Sequence, residues 1–360
     1  MEQTALTGQI LTPAGWISGT LRCTAQIVAV EPGPAPEDRF ILPGFVDLHV
    51  HGGHGADCMD GADSVRRMAR FHARHGTTAL LATTVTAPAD DLRRAMGGVA
   101  QAMAEPGPGA RVIGAHLEGP FISPDALGAQ PPFAIAPDLA LLEELAALAP
   151  IRVATYAPEI DQTGALLAAF RRLGTRAQIG HTTCSYAQAR AALAAGAAGF
   201  THLYNAMPGL RHRHAGVVGA ALALADSAEL ILDLHHVEEG AALAALRAIP
   251  RLHCVTDAVA AAGMPDGDYH LGTHPIIKRG DIVRLADGSL AGSVLTMDQA
   301  LRNLLRLGLP LADAARRCST LPAEYLGLED RGRLVPGAAA DLVIVNEAGY
   351  VQGIVCEGRA

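Results

Sequence analysis

Two histidines one residue apart close an apolar run, Val46-Asp47-Leu48-His49-Val50-His51. Side chains alternate faces along a strand, so His49 and His51 point the same way, and two imidazoles on one face can converge on a single metal ion. Four further stretches end alike: His116-Leu117-Glu118, Gln178-Ile179-Gly180-His181, Phe200-Thr201-His202 and Val255-Thr256-Asp257. Each alone has an ordinary explanation, because a strand-end carboxylate is often an ion-pair partner and a lone histidine is more often packed than ligating. Together they offer His49, His51, Glu118, His181 and His202 as metal ligands and Asp257 as a carboxylate at the same rim. That set suits hydrolysis by water acidified on a divalent cation, from a pKa of about 16 to about 7.

Such residues meet only if the strands carrying them end side by side. Strand character is expected at 45–52, 78–85, 111–118, 151–157, 176–182, 199–204, 229–236 and 252–257, separated by stretches of helical period such as 64–75, 90–104, 139–148, 164–173 and 186–195. Strand and helix in alternation favour a parallel sheet, and eight such units are the count of a (β/α)8 TIM-like barrel, whose active sites lie at the C-terminal strand ends. The last unit is stretched by an insertion, roughly 264–295, in which 281–290 reads as a hairpin turning at Asp287-Gly288. Residues 1 to about 44 are short alternating stretches (8–11, 15–21 and 25–30) and the tail around 340–345 returns to strand character. The expected division is a small β-sandwich domain from 1–44 and 332–360, and a catalytic barrel over 45–331.

Composition excludes several function classes. Half the residues are hydrophobic and 18% are charged, enough for a large core and little disorder. The net charge of -8 argues against nucleic acid or an anionic membrane as partner, since both reward basic surfaces. The most apolar long segment, 217–234, is broken by Asp226, Glu229 and Asp233 and is unsuited to spanning a bilayer. Met1-Glu2-Gln3-Thr4 has no secretory pattern, and the six cysteines show no C-x-x-C spacing, so reduced thiols and a cytoplasmic location are expected. The one lysine, Lys278, falls in the late insertion, which leaves no strand-end lysine for Schiff-base chemistry.

The chain resembles the amidohydrolase superfamily and, within it, the N-acetylglucosamine-6-phosphate deacetylases. The resemblance rests on Pro43-Gly44-Phe45-Val46-Asp47-Leu48-His49-Val50-His51-Gly52, His116-Leu117-Glu118-Gly119-Pro120-Phe121, Gly180-His181, Thr201-His202-Leu203-Tyr204-Asn205-Ala206-Met207-Pro208, Thr256-Asp257-Ala258 and the tail from Leu321. It implies a barrel flanked by a β sandwich, and hydrolysis of the N-acetyl group of an amino-sugar 6-phosphate to acetate and amine. It further implies Glu118, His181 and His202 around the main cation, Zn²⁺ or Fe²⁺. The retained His49 and His51 allow a second cation bridged through Glu118, the only group left for that task where related binuclear hydrolases use a carboxylated lysine. Asp257 would take a proton from the attacking water and return it to the amine, help worth about 10² to 10⁴ in rate.

For substrate, the resemblance points to Gly119, Gln130, Asn205, Ala206, Arg213 and His236, although His235 beside the last leaves the register open by one. Arg213 belongs to the densest basic cluster, Arg211-His212-Arg213-His214, and a guanidinium fork matches phosphate. One position departs from the family: Gln130 stands where a histidine is common, which leaves the choice between glucosamine and galactosamine open. Family members imply a homodimer, with a residue such as His236 reaching the neighbouring site. Two other readings share these residues. A cyclic amidase or deaminase would release no acetate, and a metal-free scaffold would hold no cation.

Overall fold

The computed structural model describes residues 3–359, so Met1, Glu2 and Ala360 lie outside it, together with the ends of the expected β domain. Eight parallel strands follow one another through the middle of the chain: Phe45–Val50, Thr77–Thr84, Arg111–Glu118, Ile151–Tyr156, Arg176–Ile179, Gly199–Phe200, Ser227–Ile231 and Arg251–Val255. The first six form one continuous sheet and the last two a separate pair. Backbone bonds close the gaps. Leu203 N–H donates to Glu229 O at 2.9 Å, and Asp257 N–H to His49 O at 2.8 Å. The first two strands are buried at every residue, as expected of strands covered on both faces.

Helices pack outside this barrel, among them Ala62–Ala73, Ala89–Ala104, Leu139–Leu148, Ala165–Arg172 and Tyr186–Ala194, within two residues of their expected bounds. The insertion is richer than its sequence pattern indicates. Besides the turn at Asp287-Gly288, where Leu285 N–H reaches Ser289 O at 2.9 Å, it contains an antiparallel meander of Gly267–Leu271, His274–Arg279 and Ile282–Arg284. The missed strands carry His, Lys and Asp among few apolar residues, so they show no clean period. Their first turn depends on Gly272, at φ +53°.

A second sheet of six strands draws on both ends of the chain, in the order Val351–Val355, Leu342–Val345, Phe40–Pro43, Thr4–Thr12, Gly15–Cys23, Ile27–Pro32. Leu342–Val345 lies antiparallel on Phe40–Pro43. A bridge between Gln26 and Ala339 ties the far edge back towards the start of Leu342–Val345, enclosing a small core of Ile10, Leu21, Ile27, Ile41, Leu334 and Leu342. Charges stitch this unit to the barrel: Arg111 grips Glu357 at 2.9 and 2.5 Å, and Arg331 bridges Glu357 and Asp341.

The barrel seam matters most for the rim. The fully buried Asp47 accepts from Thr256 Oγ1 at 2.6 Å, from Thr256 N–H at 3.2 Å and from His49 N–H at 3.3 Å, clamping the first strand to the end of the eighth. Burial pushes the Asp47 carboxyl up to about 7, so each of these bonds is worth about 0.5–1.5 kcal/mol, and losing the acceptor strands two backbone donors at about 1–3 kcal/mol each. Asp47→Ala is expected to lower the thermal midpoint by several degrees and to loosen bound cation; a midpoint equal to that of the parent protein would show that the seam does not depend on this clamp.

Candidate metal centre and substrate cavity

All the strand-end groups arrive at one rim. His49 and His51 leave the first strand on the same face, Glu118 ends the third, and His181, His202 and Asp257 follow the fifth, sixth and eighth. Glu118 sits at the centre. Its Oε1 lies 3.0 Å from His202 Nε2, 3.2 Å from His181 Nε2 and 3.4 Å from His49 Nε2, while Oε2 lies 3.0 Å from His51 Nε2. Asp257 Oδ1 stands 3.1 Å from His51 Nε2 and 3.4 Å from His49 Nε2. Three donor groups result: His49 with His51 and Glu118, Glu118 with His181 and His202, and His49 with His116 and Glu229.

The backbone is bent to deliver them. His181, His202 and Asp257 all have positive φ, +45°, +25° and +51°, as do Tyr204 and Ala206 in the loop after the sixth strand. For residues other than glycine such angles cost about 1–3 kcal/mol each and persist only where the surroundings over-determine them.

Hydrogen bonds on the far side of three of the four rings decide which nitrogen faces inward, while the buried His202 Nδ1 has no partner among the described residues. His49 Nδ1–H donates to Glu229 Oε2 at 3.1 Å, His51 Nδ1–H to Thr83 O at 3.1 Å, and His181 Nδ1–H to Ala126 O at 2.9 Å. The inward Nε2 atoms converge: His49 and His51 approach to 3.2 Å and His181 and His202 to 3.0 Å. Nitrogens packed this closely around carboxylates are placed to share a cation in place of protons. The set is nitrogen and oxygen in number and kind suited to Zn²⁺ or Fe²⁺, so the residues fit a divalent cation.

Charge leads to the same conclusion. Glu118, Glu229 and Asp257 are buried, and among the described residues no Lys or Arg pairs with any of them. Burial opposes their ionisation, but the facing imidazoles outweigh it and hold all three carboxyls below their usual range. The same acids raise His49 and His51 against burial. His116 differs: both its nitrogens are spent, on Leu48 O at 2.9 Å and Thr155 Oγ1 at 2.8 Å, and burial pushes it down to about 4. It is a neutral packing residue against His49, with ring centroids 4.5 Å apart.

A cavity of about 200 Å³ opens over the centre, lined by His51, Glu118, Gln130, His181, His202, Asn205, Ala206, His236 and Asp257, with Leu271, Leu290 and Gly292 of the insertion also on its wall. Of the two adjacent histidines, His236 lines this cavity while His235 is exposed. Burial disfavours the charged form of His236, yet Asp233 Oδ2, 2.6 Å from Nδ1, outweighs that and raises it above the ordinary histidine range.

Two expected contacts are placed elsewhere. Gly119 does not line the cavity; it sits at φ +75° against Thr86, where a Cβ would stand 2.0 Å from Oγ1, so close packing demands glycine there. Arg213 lies in an exposed loop outside its own cavity, because the turn bridged by Arg211 and His214 sits apart from that wall. Sequence reasoning missed Glu229 as the partner of His49. The available signal was a charge inside an otherwise apolar barrel strand, which is rare without a partner.

Comparison with known proteins agrees with this arrangement. The profile of the amidohydrolase family matches residues 40–360. An N-acetylgalactosamine-6-phosphate deacetylase of Escherichia coli O157:H7 is 39% identical, over 98% of this chain and 97% of its own length. An N-acetylglucosamine-6-phosphate deacetylase of Vibrio furnissii is also 39% identical, over 89% and 82%. Among solved structures, the N-acetylglucosamine-6-phosphate deacetylase of Thermotoga maritima superimposes with a TM-score of 0.92 at 31% identity, covering 99% of both chains. A mutant of the Mycobacterium smegmatis enzyme, in complex with N-acetyl-D-glucosamine-6-phosphate, gives 0.92 at 34%, covering 100% of this chain and 99% of that one. With its barrel, its converging imidazoles and carboxylates, and these relatives, the chain belongs to the amidohydrolase family.

Proposed function

We propose that the protein is a metal-dependent deacetylase that hydrolyses N-acetylglucosamine 6-phosphate to glucosamine 6-phosphate and acetate. The observation that carries this is the Asp257 carboxylate on the cavity wall, beside a cluster of converging imidazole nitrogens and sharing that wall with His236. Glu118, His181 and His202 would hold one divalent cation, Zn²⁺ or Fe²⁺, and His49, His51 and Glu118 a second. When bound, such a cation acidifies water towards a pKa of about 7 and polarises an amide carbonyl.

The chain's own groups do the rest. Asp257, held ionised by His49 and His51, takes the proton of the water that adds to the acetyl carbonyl. It then returns that proton to the nitrogen as the C–N bond breaks, because an amide anion leaves poorly while an amine leaves readily. Asn205 and Ala206 form the wall on which the sugar phosphate rests, and His236, whose protonated form Asp233 favours, faces it as a hydrogen-bond donor. No guanidinium lines the cavity, while Arg213 is exposed outside it. A homodimer in which Arg213 serves the second copy's substrate accounts for both facts. The working division is 1–44 with 332–360 as a supporting β unit and 45–331 as the catalytic barrel. A cytoplasmic location fits the free cysteines, and among the described residues no helix is long and apolar enough to cross a membrane.

A second reading, the galactosamine epimer as substrate, is favoured by the Escherichia coli relative that matches over nearly its full length. Acetate release from the two N-acetylhexosamine 6-phosphates, with their unphosphorylated forms as controls, separates the readings. The glucosamine compound is expected to turn over fastest, and absence of acetate from all four would end the proposal. Asp257→Asn should lower kcat by about 10² to 10⁴ with cation content unchanged; a loss below tenfold would remove Asp257 from proton transfer. Arg213→Ser should raise KM for the phosphorylated substrate by about tenfold or more, the value of one charge-assisted bond, and leave kcat near its parent value. Glu229→Gln, by weakening the hold on His49, should loosen chelatable cation by about 10- to 100-fold.

A further inference from the structure

Gln130 stands on the cavity wall yet is 4% exposed, and both ends of its carboxamide are in use. Its Oε1 accepts Thr86 N–H at 2.7 Å, and its Nε2 donates to Glu118 Oε2 at 2.5 Å. Thr86 is a backbone anchor two residues past the second barrel strand, and Gln130 N–H is itself held by Leu127 O at 2.9 Å. The amide is therefore fixed at both ends before any substrate enters. Its only acceptor is spent, and its strongest donor contact is with the carboxylate.

That carboxylate has two distinct tasks. Oε1 faces His181 and His202, and Oε2 faces His51. The terminal torsion of a glutamate is broad and has no sharp rotameric minimum, so the side chain's own preferences do not hold the two oxygens in place. A neutral donor fixes that rotation without competing for the carboxylate's charge, as a lysine or arginine would. We propose that Gln130 is a positioning residue that locks Glu118 between the two imidazole pairs, and thereby sets the affinity for cation rather than the affinity for substrate. This inference rests on the metal-dependent reading above and is independent of which sugar is bound. A neutral histidine, with one N–H and one lone pair, serves the same clamp. The histidine common at this position in the family is thus interchangeable with Gln130 in this task.

The test uses the purified holoenzyme and two measurements. Cation affinity is read by competition with a chromogenic chelator in the absence of substrate, and kcat and KM are read separately on N-acetylglucosamine 6-phosphate. For Gln130→Ala, the dissociation constant of the cation should rise by about 10- to 100-fold, the usual effect of removing a group that orients a ligand, while KM stays within about threefold. Gln130→Met keeps the side-chain length without donor or acceptor, and stands in if the alanine variant does not fold. Gln130→His should hold cation within about threefold of the parent. A KM raised tenfold with unchanged cation affinity would overturn the inference, because the amide would then be reading the substrate. So would a histidine variant that binds cation as poorly as the alanine one. Should the sugar assignment itself fail, turnover would be absent from every protein, parent included, while the chelator titration would still report on the clamp.

Discussion

At the mouth of this barrel, four imidazoles and two buried carboxylates face one another, and among the described residues no lysine or arginine joins them. Four Nε2 atoms and the oxygens of Glu118 and Asp257 crowd together at 3.0–3.4 Å. Two unit charges 4 Å apart interact by about 4 kcal/mol at the effective dielectric of a protein site, a large fraction of a domain's net stability. Protons on the imidazoles balance part of that charge, because each inward Nε2 lies 3.0–3.4 Å from a carboxylate oxygen. Divalent cations at the two donor groups that share Glu118 would take the place of those protons, and the rest of the rim is arranged around that set of ligands.

The barrel meets it by bringing strand ends distant in sequence to one rim. Parallel strands fix direction, alternation puts His49 and His51 on one face, and strained turns at His181, His202 and Asp257 aim the others inward. Such turns are tolerated because neighbours fix them: Asp47 ties Thr256 just before Asp257, and Ala126 O holds the ring of His181. Glu229 has a dual hold, taking His49 Nδ1–H through one oxygen while the same oxygen meets His202 N–H at 3.3 Å. The rigidity of the rim thus comes from atoms that touch neither cation nor substrate.

The sequence revealed those parts of the site that follow a local rule. The two-residue spacing of His49 and His51, and acids or imidazoles closing apolar runs at Glu118, His181, His202 and Asp257, can be read from period and position. So can the eight strand and helix units. Partnerships made through space leave no such trace. Glu229 looked like an interruption of an apolar segment, and Asp47 like part of a motif, because nothing local tells a buried acid what it will meet. The meander at 267–284 lacked a clean period. Phe40–Pro43 is too short, and ends in a proline, so its pairing with the C-terminal strand could be seen only in the fold. Gly119 and Arg213 were named by resemblance alone, and neither lies on the lining of its own chain's cavity.

The demand for a cation at this rim is tested most directly by anomalous diffraction at the absorption edges of zinc and iron, on crystals of protein purified without chelator and shown to be active. A peak about 2.0–2.2 Å from Glu118 Oε1 and from Nε2 of His181 and His202 is the predicted result. An active preparation with no metal at that position, its imidazoles still facing one another, would contradict it.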